Sequence, residues 1–516
     1  MTILTPDSSG QLKYITTNDQ NVVISLNVKT IYGNNIGDYC AKSVTTTLES
    51  ITFQEGSLLT EIQPYAFYSC TLLTKIDLSP CTNLISVQSY AFSKCSSVTT
   101  LFLPEGLQTI ESNAFSYLKI TNVIIPSTVN SLGGACIAMM SSLTQITFSP
   151  NSVLTEIPKY AFQGTGLTSF NIPSSVTSFT GICFSQCRDI SRITCDSNNK
   201  QYYANGQAVF SLTGLGIIYV ASNIGNSYTV PDGISYSDLG CFISTRLETV
   251  TFPSSFISIG ALCFVRATEF KIVNMPDSIN FIGSSSFRST TSLTSINLPS
   301  SLNQISQLLF EGSGITTIKI PNNVTIIGKQ AFKDCIYLTD IYLPSGIETI
   351  EGGFIEGCNP TIHASEDGNF IIDSQNLITD KSQTYISIYV GTEESSITIY
   401  STVKTIKTSA FKNKTNLKTI TFDNSFNVET IESYAFFGCS GLTSFPSLSS
   451  VKTIGDYAFS EVSLIDSFSF GSELTTIGSF SFYRCSKMKS LVFNSKSNLS
   501  HVELIMITKL FCSKKC

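Results

Sequence analysis

One phrase recurs every 22 to 26 residues along most of this chain, and it constrains the fold more than any other feature. In one-letter code the phrase is LxxIxLPxxLxxIxxxAFxxC, and a clear copy runs from Leu293 to Phe310. The phenylalanine slot fixes the register and holds Phe67, Phe92, Phe115, Phe162, Phe184, Phe242, Phe264, Phe287, Phe310, Phe332, Phe411, Phe436, Phe459 and Phe482. Three degenerate copies place Ala41, Ile137 and Ile355 there, which makes 17 repeats.

A period of this length with an L-x-x-L-x-L pattern is typical of leucine-rich repeats. Ile296 and Leu298 lie two residues apart, so they share the inward face of a short strand, which Pro299 ends because it lacks an N–H. The recurring Ile-Gly pair predicts a turn, and the i, i+3 spacing of Ala-Phe-x-x-Cys predicts a helical turn. We therefore predict a β-rich leucine-rich-repeat solenoid with a parallel sheet on one face, short helical or 3-10 turns on the other, and two β-hairpin inserts.

The hairpin inserts are predicted in two long gaps of the repeat. The first contains the strand-like run Gly216–Val220, and the second contains Tyr385–Val390. The N-terminal segment resembles a weaker copy of the same pattern and is predicted to cover the first coil. The predicted organisation is an N-terminal cap at 1–35, repeat blocks at 36–195, 232–360 and 401–493, hairpin inserts at 196–231 and 361–400, and a C-terminal tail at 494–516.

Composition argues against several classes of function. The net charge of −6 disfavours nucleic acid, which is bound by basic surfaces. Only two histidines are present, His363 and His501, and no catalytic triad, phosphate loop or metal-ligand spacing is recognisable, so we predict no enzyme activity, cofactor or metal site. No apolar run approaches the roughly 20 residues of a membrane span, and no signal peptide is apparent at the N-terminus.

The 16 cysteines follow the repeat register, which favours a structural role over metal or disulfide chemistry. Seven of them stand three residues after the phenylalanine slot: Cys70, Cys95, Cys187, Cys335, Cys358, Cys439 and Cys485. Five stand one residue before it: Cys40, Cys136, Cys183, Cys241 and Cys263. A residue type that recurs at a fixed repeat position belongs to the core, where free cysteine behaves as a small hydrophobic residue.

The most informative functional feature is the outward residue between the two core positions of each strand. We call this set the outward column: Thr52, Asp77, Phe102, Ile124, Thr147, Asn171, Thr194, Thr251, Asn274, Asn297, Lys319, Tyr342, Thr421, Ser469 and Val492. Phe102 and Ile124 fall on neighbouring coils and are predicted to form a small exposed apolar patch. They and Tyr342 are our candidate partner-binding residues, although scattered exposed apolar residues are also normal on protein surfaces. His363 occupies an outward position as an isolated histidine.

Several copies carry a resemblance to a known family. Ile431-Glu-Ser-Tyr-Ala-Phe436-Phe-Gly-Cys439 and Ile454-Gly-Asp-Tyr-Ala-Phe459 resemble the repeats of the BspA-like, or Treponema-type, leucine-rich-repeat family. The resemblance extends over nearly the whole chain. It implies a surface antigen of bacteria or parasitic protozoa that adheres to host matrix proteins or to other cells, and it carries over no catalytic residue. A signal peptide and a membrane anchor, which surface members have, are not apparent.

The leading hypothesis is a non-catalytic adhesin or antigen that binds a protein or glycan partner through the sheet face of the solenoid. The alternative is an intracellular scaffold that uses the same surface for protein–protein interaction. The sequence leaves the partner unnamed. Family resemblance implies a location at the cell surface or secretion, and the cytoplasm is the alternative.

Overall fold

The computed structural model describes residues 2–17, 19–391, 394–423, 425, 427–494 and 501–502, the last two by backbone alone. The chain forms two compact units. One contains Met1–Ser278 and Ser289–Leu293, and the other contains Ile279–Arg288 and Thr294–Cys516. Both units are β-solenoids of stacked parallel strands with almost no helix.

The first column of strands contains the L-x-x-I-x-L part of each repeat. In Asn122–Ile125, for example, Val123 and Ile125 are buried while Asn122 and Ile124 are exposed, as the two-residue period of a strand requires. The strands of the first column are Thr2–Leu4, Asn21–Ile24, Ser50–Phe53, Lys75–Asp77, Thr100–Phe102, Asn122–Ile125, Gln145–Phe148, Ser169–Ile172, Arg192–Cys195, Ser227–Thr229, Thr249–Thr251, Ile272–Asn274, Thr317–Lys319, Asp340–Tyr342, Thr361–His363, Ser396–Ile399, Thr419–Phe422, Ser467–Phe470 and Ser490–Phe493.

The second column contains two-residue strands, most of which end in the isoleucine before the turn. Thr430 and Ile431, for example, pair with Thr453 and Ile454 of the next coil. The strands of the second column are Gln11–Leu12, Thr30–Ile31, Glu61–Ile62, Ser86–Val87, Thr109–Ile110, Ser131–Leu132, Tyr236–Ser237, Ser258–Ile259, Phe281–Ile282, Gln304–Ile305, Ile326–Ile327, Thr349–Ile350, Thr405–Ile406, Thr430–Ile431, Thr453–Ile454, Thr476–Ile477 and His501–Val502.

The turn that contains Ala-Phe forms a third ladder of hydrogen bonds between coils. Phe67 donates its backbone N–H to Ala91 of the next coil at 2.8 Å, and Tyr65 donates to Ser89 at 3.0 Å. Tyr65 and Ser69 have φ values of 63° and 62°, in the left-handed region that non-glycine residues seldom adopt. Left-handed residues two before and two after the phenylalanine slot recur along the chain. This geometry replaces the predicted helical turn: within the described ranges the one helix is the 3-10 helix Gly181–Phe184.

The phenylalanine slot forms the centre of each core. Phe67 and Phe92 stack with ring centroids 5.0 Å apart, and Phe92 and Phe115 stack at 5.6 Å. In the other unit Phe310 and Phe332 stack at 5.5 Å. Each such pair contributes about 0.5–1.5 kcal/mol beyond the burial of its area, so the repeated slot stabilises the stack.

The glycine of the Ile-Gly pair has a different role from the one predicted. A Cβ atom on Gly455 would lie 2.4 Å from the backbone nitrogen of Ser433, and one on Gly260 would lie 2.6 Å from the carbonyl oxygen of Asp238. Neither glycine has a positive φ. Glycine is needed in these two coils because neighbouring coils approach closely there, and not because the turn needs a left-handed residue.

The first long gap contains three antiparallel strands, Tyr202–Ala204, Ala208–Ser211 and Gly216–Val220. The last of them pairs in parallel with Tyr236–Ser237 and so joins the second column. The ring of Tyr219 is fully buried 4.8 Å from that of Phe184. A tyrosine from this insert therefore takes the place of the missing repeat phenylalanine.

The second long gap has the same arrangement, with strands Phe370–Ile372, Leu377–Asp380 and Tyr385–Tyr389. The last strand pairs in parallel with Thr405–Ile406. Tyr389 stacks on Phe411 at 5.7 Å and donates its backbone N–H to Ala410 at 2.9 Å, as a phenylalanine-slot residue does.

The two ends of the chain differ from the central repeats in detail. Near the N-terminus, Thr2–Leu4 and Gln11–Leu12 pair in parallel with Asn21–Ile24 and Thr30–Ile31, so this segment forms coils of the solenoid instead of a hairpin. The antiparallel pair of Gly33–Asn35 and Asp38–Tyr39 follows. Most of the predicted tail, together with Cys512 and Cys516, lies outside the described residues, and His501–Val502 pairs with Thr476–Ile477.

Candidate binding surface

Apart from Asn297, which lies outside the described strands, the outward column lies on the solvent-facing side of the first column of strands. Phe102 and Ile124 are 49% and 62% exposed, and Tyr342 is 45% exposed. Their neighbours Leu101, Val123 and Ile341 are buried. The buried neighbours and the hydrogen-bonded backbone of the strand therefore hold each outward residue in place.

The first part of this surface surrounds Phe102. Its strand pairs with Lys75–Asp77, so that Phe102 lies opposite Asp77. The Lys75 ammonium lies 5.4 Å from the centre of the Phe102 ring and 2.9 Å from the Asp77 carboxylate. Thr100–Phe102 also contacts Asn122–Ile125 of the next coil, which contains Ile124. The result is an apolar pair bordered by one ion pair.

The second part of the surface is a cluster around Tyr342. Lys319, Tyr342 and His363 are register partners on three adjacent strands. The Tyr342 and His363 rings are nearly parallel, with an interplanar angle of 8° and centroids 4.3 Å apart. His363 Nε2 lies 2.8 Å from Asp340 Oδ1, and this hydrogen bond, with a second from Thr339, lowers the pKa of Asp340.

The sequence did not predict this cluster, because His363 looked isolated along the chain. The structure brings it onto Tyr342 and Asp340 from the preceding coil. The signal that would have found the cluster is the repeat register: His363 and Tyr342 hold the same outward slot, and Asp340 lies two residues before Tyr342 on the same face. Lys75 and Asp77 are likewise two apart on one face.

The cysteine thiols offer little reactivity. All 14 described cysteines are free, and all are buried except the half-buried Cys195 and Cys358. Burial raises the pKa of Cys136 and Cys439 to about 12, so these thiols stay protonated at neutral pH and are poor nucleophiles and metal ligands. Across the described part of the chain, no three His, Cys, Asp or Glu side chains are grouped to hold a metal ion.

The recurring cysteine three residues after the phenylalanine slot has a specific hydrogen bond. Cys95 donates its thiol to the carbonyl oxygen of Phe67 at 3.1 Å, and Cys439 donates to that of Phe411 at 2.9 Å. The same contact is made by Cys187, Cys335, Cys358 and Cys485. These cysteines therefore connect neighbouring coils without forming covalent bonds.

A profile of the BspA type leucine rich repeat region matches the chain in six overlapping copies, at residues 14–141, 60–191, 111–227, 139–270, 257–374 and 385–503. The chain belongs to the BspA-type leucine-rich-repeat family. A search of curated proteins found no significant match to this BspA-type chain. Where the structure describes it, the chain has no helix that is long and apolar enough to cross a bilayer.

Solved structures of other repeat proteins are similar to this BspA-type chain. A leucine rich cell surface protein from Faecalibacterium prausnitzii is 21% identical over 78% of this chain and 79% of its own, with a TM-score of 0.41. The pneumococcal vaccine antigen PcpA is 16% identical over 82% and 92%, with a TM-score of 0.47. A leucine-rich repeat protein from Eubacterium ventriosum is 17% identical over 85% and 90%, with a TM-score of 0.39.

Proposed function

We propose that this protein is a non-catalytic recognition protein that binds a protein partner through Phe102, Ile124 and Tyr342 of the outward column. The observation that supports this most directly is the exposure of Phe102, Ile124 and Tyr342, each on a hydrogen-bonded strand. Rigid apolar and aromatic side chains lose little conformational entropy when a partner covers them, and such residues dominate binding energy at interfaces. Membership of the BspA-type family favours a more specific version of this proposal, in which the protein is a surface adhesin or antigen.

The electrostatic surroundings support a protein partner. Phe102 is bordered by Lys75 and Asp77, and Tyr342 by Lys319 and Asp340, so each apolar group is surrounded by charges of both signs. A polar rim of mixed charge around an apolar centre is the usual arrangement of a protein–protein interface. About half of Phe102 and of Ile124 is exposed, so burial of either by a partner contributes about 1 kcal/mol.

The test is binding of the full chain to a panel of purified extracellular matrix proteins, measured by biolayer interferometry. For a partner found in this way, Phe102→Ser with Ile124→Ser, or Tyr342→Ser, is expected to weaken binding about 10- to 100-fold. Val492→Ser is the matched control, because Val492 is 53% exposed in the same slot of a distant coil. Equal binding by all of these variants would exclude the patch and the Tyr342 cluster as the interface.

A second candidate is an intracellular scaffold that uses the same surface, and the cysteines favour it. The fourteen free thiols of the described residues are typical of a reducing compartment, since secreted proteins pair their cysteines. Labelling of intact cells with a membrane-impermeant amine reagent, combined with protease shaving, distinguishes the two. Labelling and cleavage support the surface protein, and complete protection supports the scaffold.

A further inference from the structure

A polar cleft interrupts the sheet face between two strand pairs of the first unit. Asn122–Ile125 pairs with Gln145–Phe148, and Ser169–Ile172 pairs with Arg192–Cys195, but the two pairs belong to separate sheets. Between them lies a cleft of about 430 Å³, within the range of about 300–1,000 Å³ that is usual for small-ligand sites.

The loop after Phe148 forms one wall of the cleft. Leu154, the next core residue, lies six positions after Phe148, whereas Val176 lies only four positions after Ile172 in the following coil. Pro150 and Asn151, in this longer loop, line the cleft, and Asn151 has a left-handed φ of 61°. This loop, which is longer than that of the following coil, therefore supplies one wall of the cleft.

The lining groups are mostly neutral hydrogen-bonding groups. Gln145, Thr147 and Asn171 are exposed and contribute amides and a hydroxyl. Thr194 donates its hydroxyl to Asn171 Oδ1 at 2.8 Å, which orients the amide and leaves its two N–H donors without a partner among the described residues. Such groups match the hydroxyls of a polyol, which both donate and accept.

The remaining lining groups indicate a ligand that is neutral and partly apolar. Arg192 and Asp196 contribute one charge of each sign, so the cleft has no electrostatic preference for an anion or a cation. The half-buried ring of Phe148, packed edge-on against Phe170 at 5.9 Å, offers an apolar floor. A sugar ring has this combination of hydroxyl edges and a C–H face.

We propose that this cleft binds a neutral saccharide unit. The proposal rests on the proposed recognition function but uses other residues than Phe102, Ile124 and Tyr342. Loss of saccharide binding and loss of protein binding are therefore separable, because each is tested with its own variants.

The test is saturation-transfer-difference NMR of the full chain with lactose, maltose and N,N′-diacetylchitobiose, with 3′-sialyllactose as the anionic comparison. We expect transfer to at least one neutral sugar, with a Kd that Asn171→Ala or Thr147→Phe raises at least tenfold. The matched controls are Asn274→Ala and Thr251→Phe. Asn274 and Thr251 are hydrogen-bonded neighbours, as Asn171 and Thr194 are, with Asn274 Nδ2 donating to Thr251 Oγ1 at 3.0 Å. They lie on a continuous three-stranded sheet.

The controls are expected to retain binding, and circular dichroism is expected to show that all four variants are folded. Absence of transfer to every neutral sugar at millimolar concentration would overturn the proposal, and so would binding of the sialylated sugar alone. Binding that the Asn171 and Thr147 variants leave unchanged would show that the saccharide binds elsewhere and would overturn the assignment to this cleft.

Discussion

The Cys335 thiol lies 2.9 Å from the carbonyl oxygen of Phe310, one coil earlier in the stack. That oxygen also accepts the backbone N–H of Ser313, at 2.9 Å. The recurring cysteine thus adds a second donor to a carbonyl that already has one. Its role is to link coils, which explains why the residue type follows the repeat.

We expect Cys335→Ser to lower the free energy of unfolding by less than about 1 kcal/mol, because a hydroxyl keeps the hydrogen bond and Ser313 already holds the same slot in the preceding coil. Cys335→Ala removes both the donor and core volume, so we expect a loss of about 1–2 kcal/mol. Urea denaturation of the two variants measures the difference. A serine variant less stable than the alanine variant would show that the hydrogen bond is unimportant.

Alkaline pH is expected to destabilise the fold through its buried thiols. Burial raises the pKa of Cys40, Cys136 and Cys439 to about 12, against 9.0 for an ordinary thiol. A group with a raised folded-state pKa contributes stability that is complete below pH 9 and is lost as pH rises toward 12. Each thiol is expected to remove about 1.4 kcal/mol per pH unit in this window.

The measurement is the urea midpoint at pH 8, 9, 10 and 11, with thiolate absorbance near 240 nm recorded in parallel. We expect the midpoint to fall above pH 9 and thiolate to appear only together with unfolding. Thiolate formation in the folded protein at pH 10, with the midpoint unchanged, would contradict the assigned burial.

Close approach of neighbouring coils leaves no room for a side chain at Gly133. A Cβ on Gly133 would lie 2.2 Å from the backbone nitrogen of Ser112, which has no freedom to move away. We expect Gly133→Ala to cost about 1–3 kcal/mol, as overpacking does in a tight core. The control is Gly37→Ala, where the nearest atom is a side-chain oxygen of Asn35 at 3.2 Å. Thermal unfolding that is unchanged in both variants would refute the close approach.

A buried carboxylate links the coils on either side of the second insert. Glu356 accepts hydrogen bonds from Gln330 at 2.8 Å, Ser409 at 2.8 Å and Lys412 at 2.5 Å. Burial alone would raise the pKa of Glu356, but these three donors together hold it below its usual value. The stability from this group is therefore present above about pH 4.5 and is lost as pH falls through the lowered pKa.

Glu356→Gln is expected to cost about 2 kcal/mol at pH 7, because Lys412 loses its counter-charge in a half-buried position. The variant is also expected to lose less further stability than the wild type between pH 5 and pH 3. Glu348→Gln is the control, since that side chain is exposed in the same unit. Parallel acid profiles of the Glu356→Gln variant and the wild type would contradict the role of this carboxylate.

The repeat register was predictable from the sequence because the residue spacing within each coil determines which of its side chains point inward. Phe67, Phe92 and Phe115 were placed in one slot from spacing alone, and the structure stacks their rings. The exposure of Phe102 and Ile124 followed from the alternation of a strand in the same way. The boundaries of the seven predicted segments, and the binding role of the three outward residues, stay predictions.

Features that depend on contacts between two coils were not predictable from the spacing of residues in the sequence. The left-handed φ of Tyr65 is held by its hydrogen bond to Ser89 of the next coil, and no local propensity of tyrosine indicates it. The same applies to Tyr219, which fills a phenylalanine position from within an insert, and to His363, whose partners lie one coil earlier.

The sequence by itself determined that this chain is a BspA-type leucine-rich-repeat solenoid, because apolar side chains at fixed intervals specify which face of each coil is buried. Only the tertiary structure decided how neighbouring coils meet. The thiol of Cys335 on Phe310, the ring of Tyr342 on His363 and the cleft beside Asn171 depend on distances between residues about one repeat apart. Those distances are set by the stacking of neighbouring coils, and the spacing of residues within one coil does not determine them.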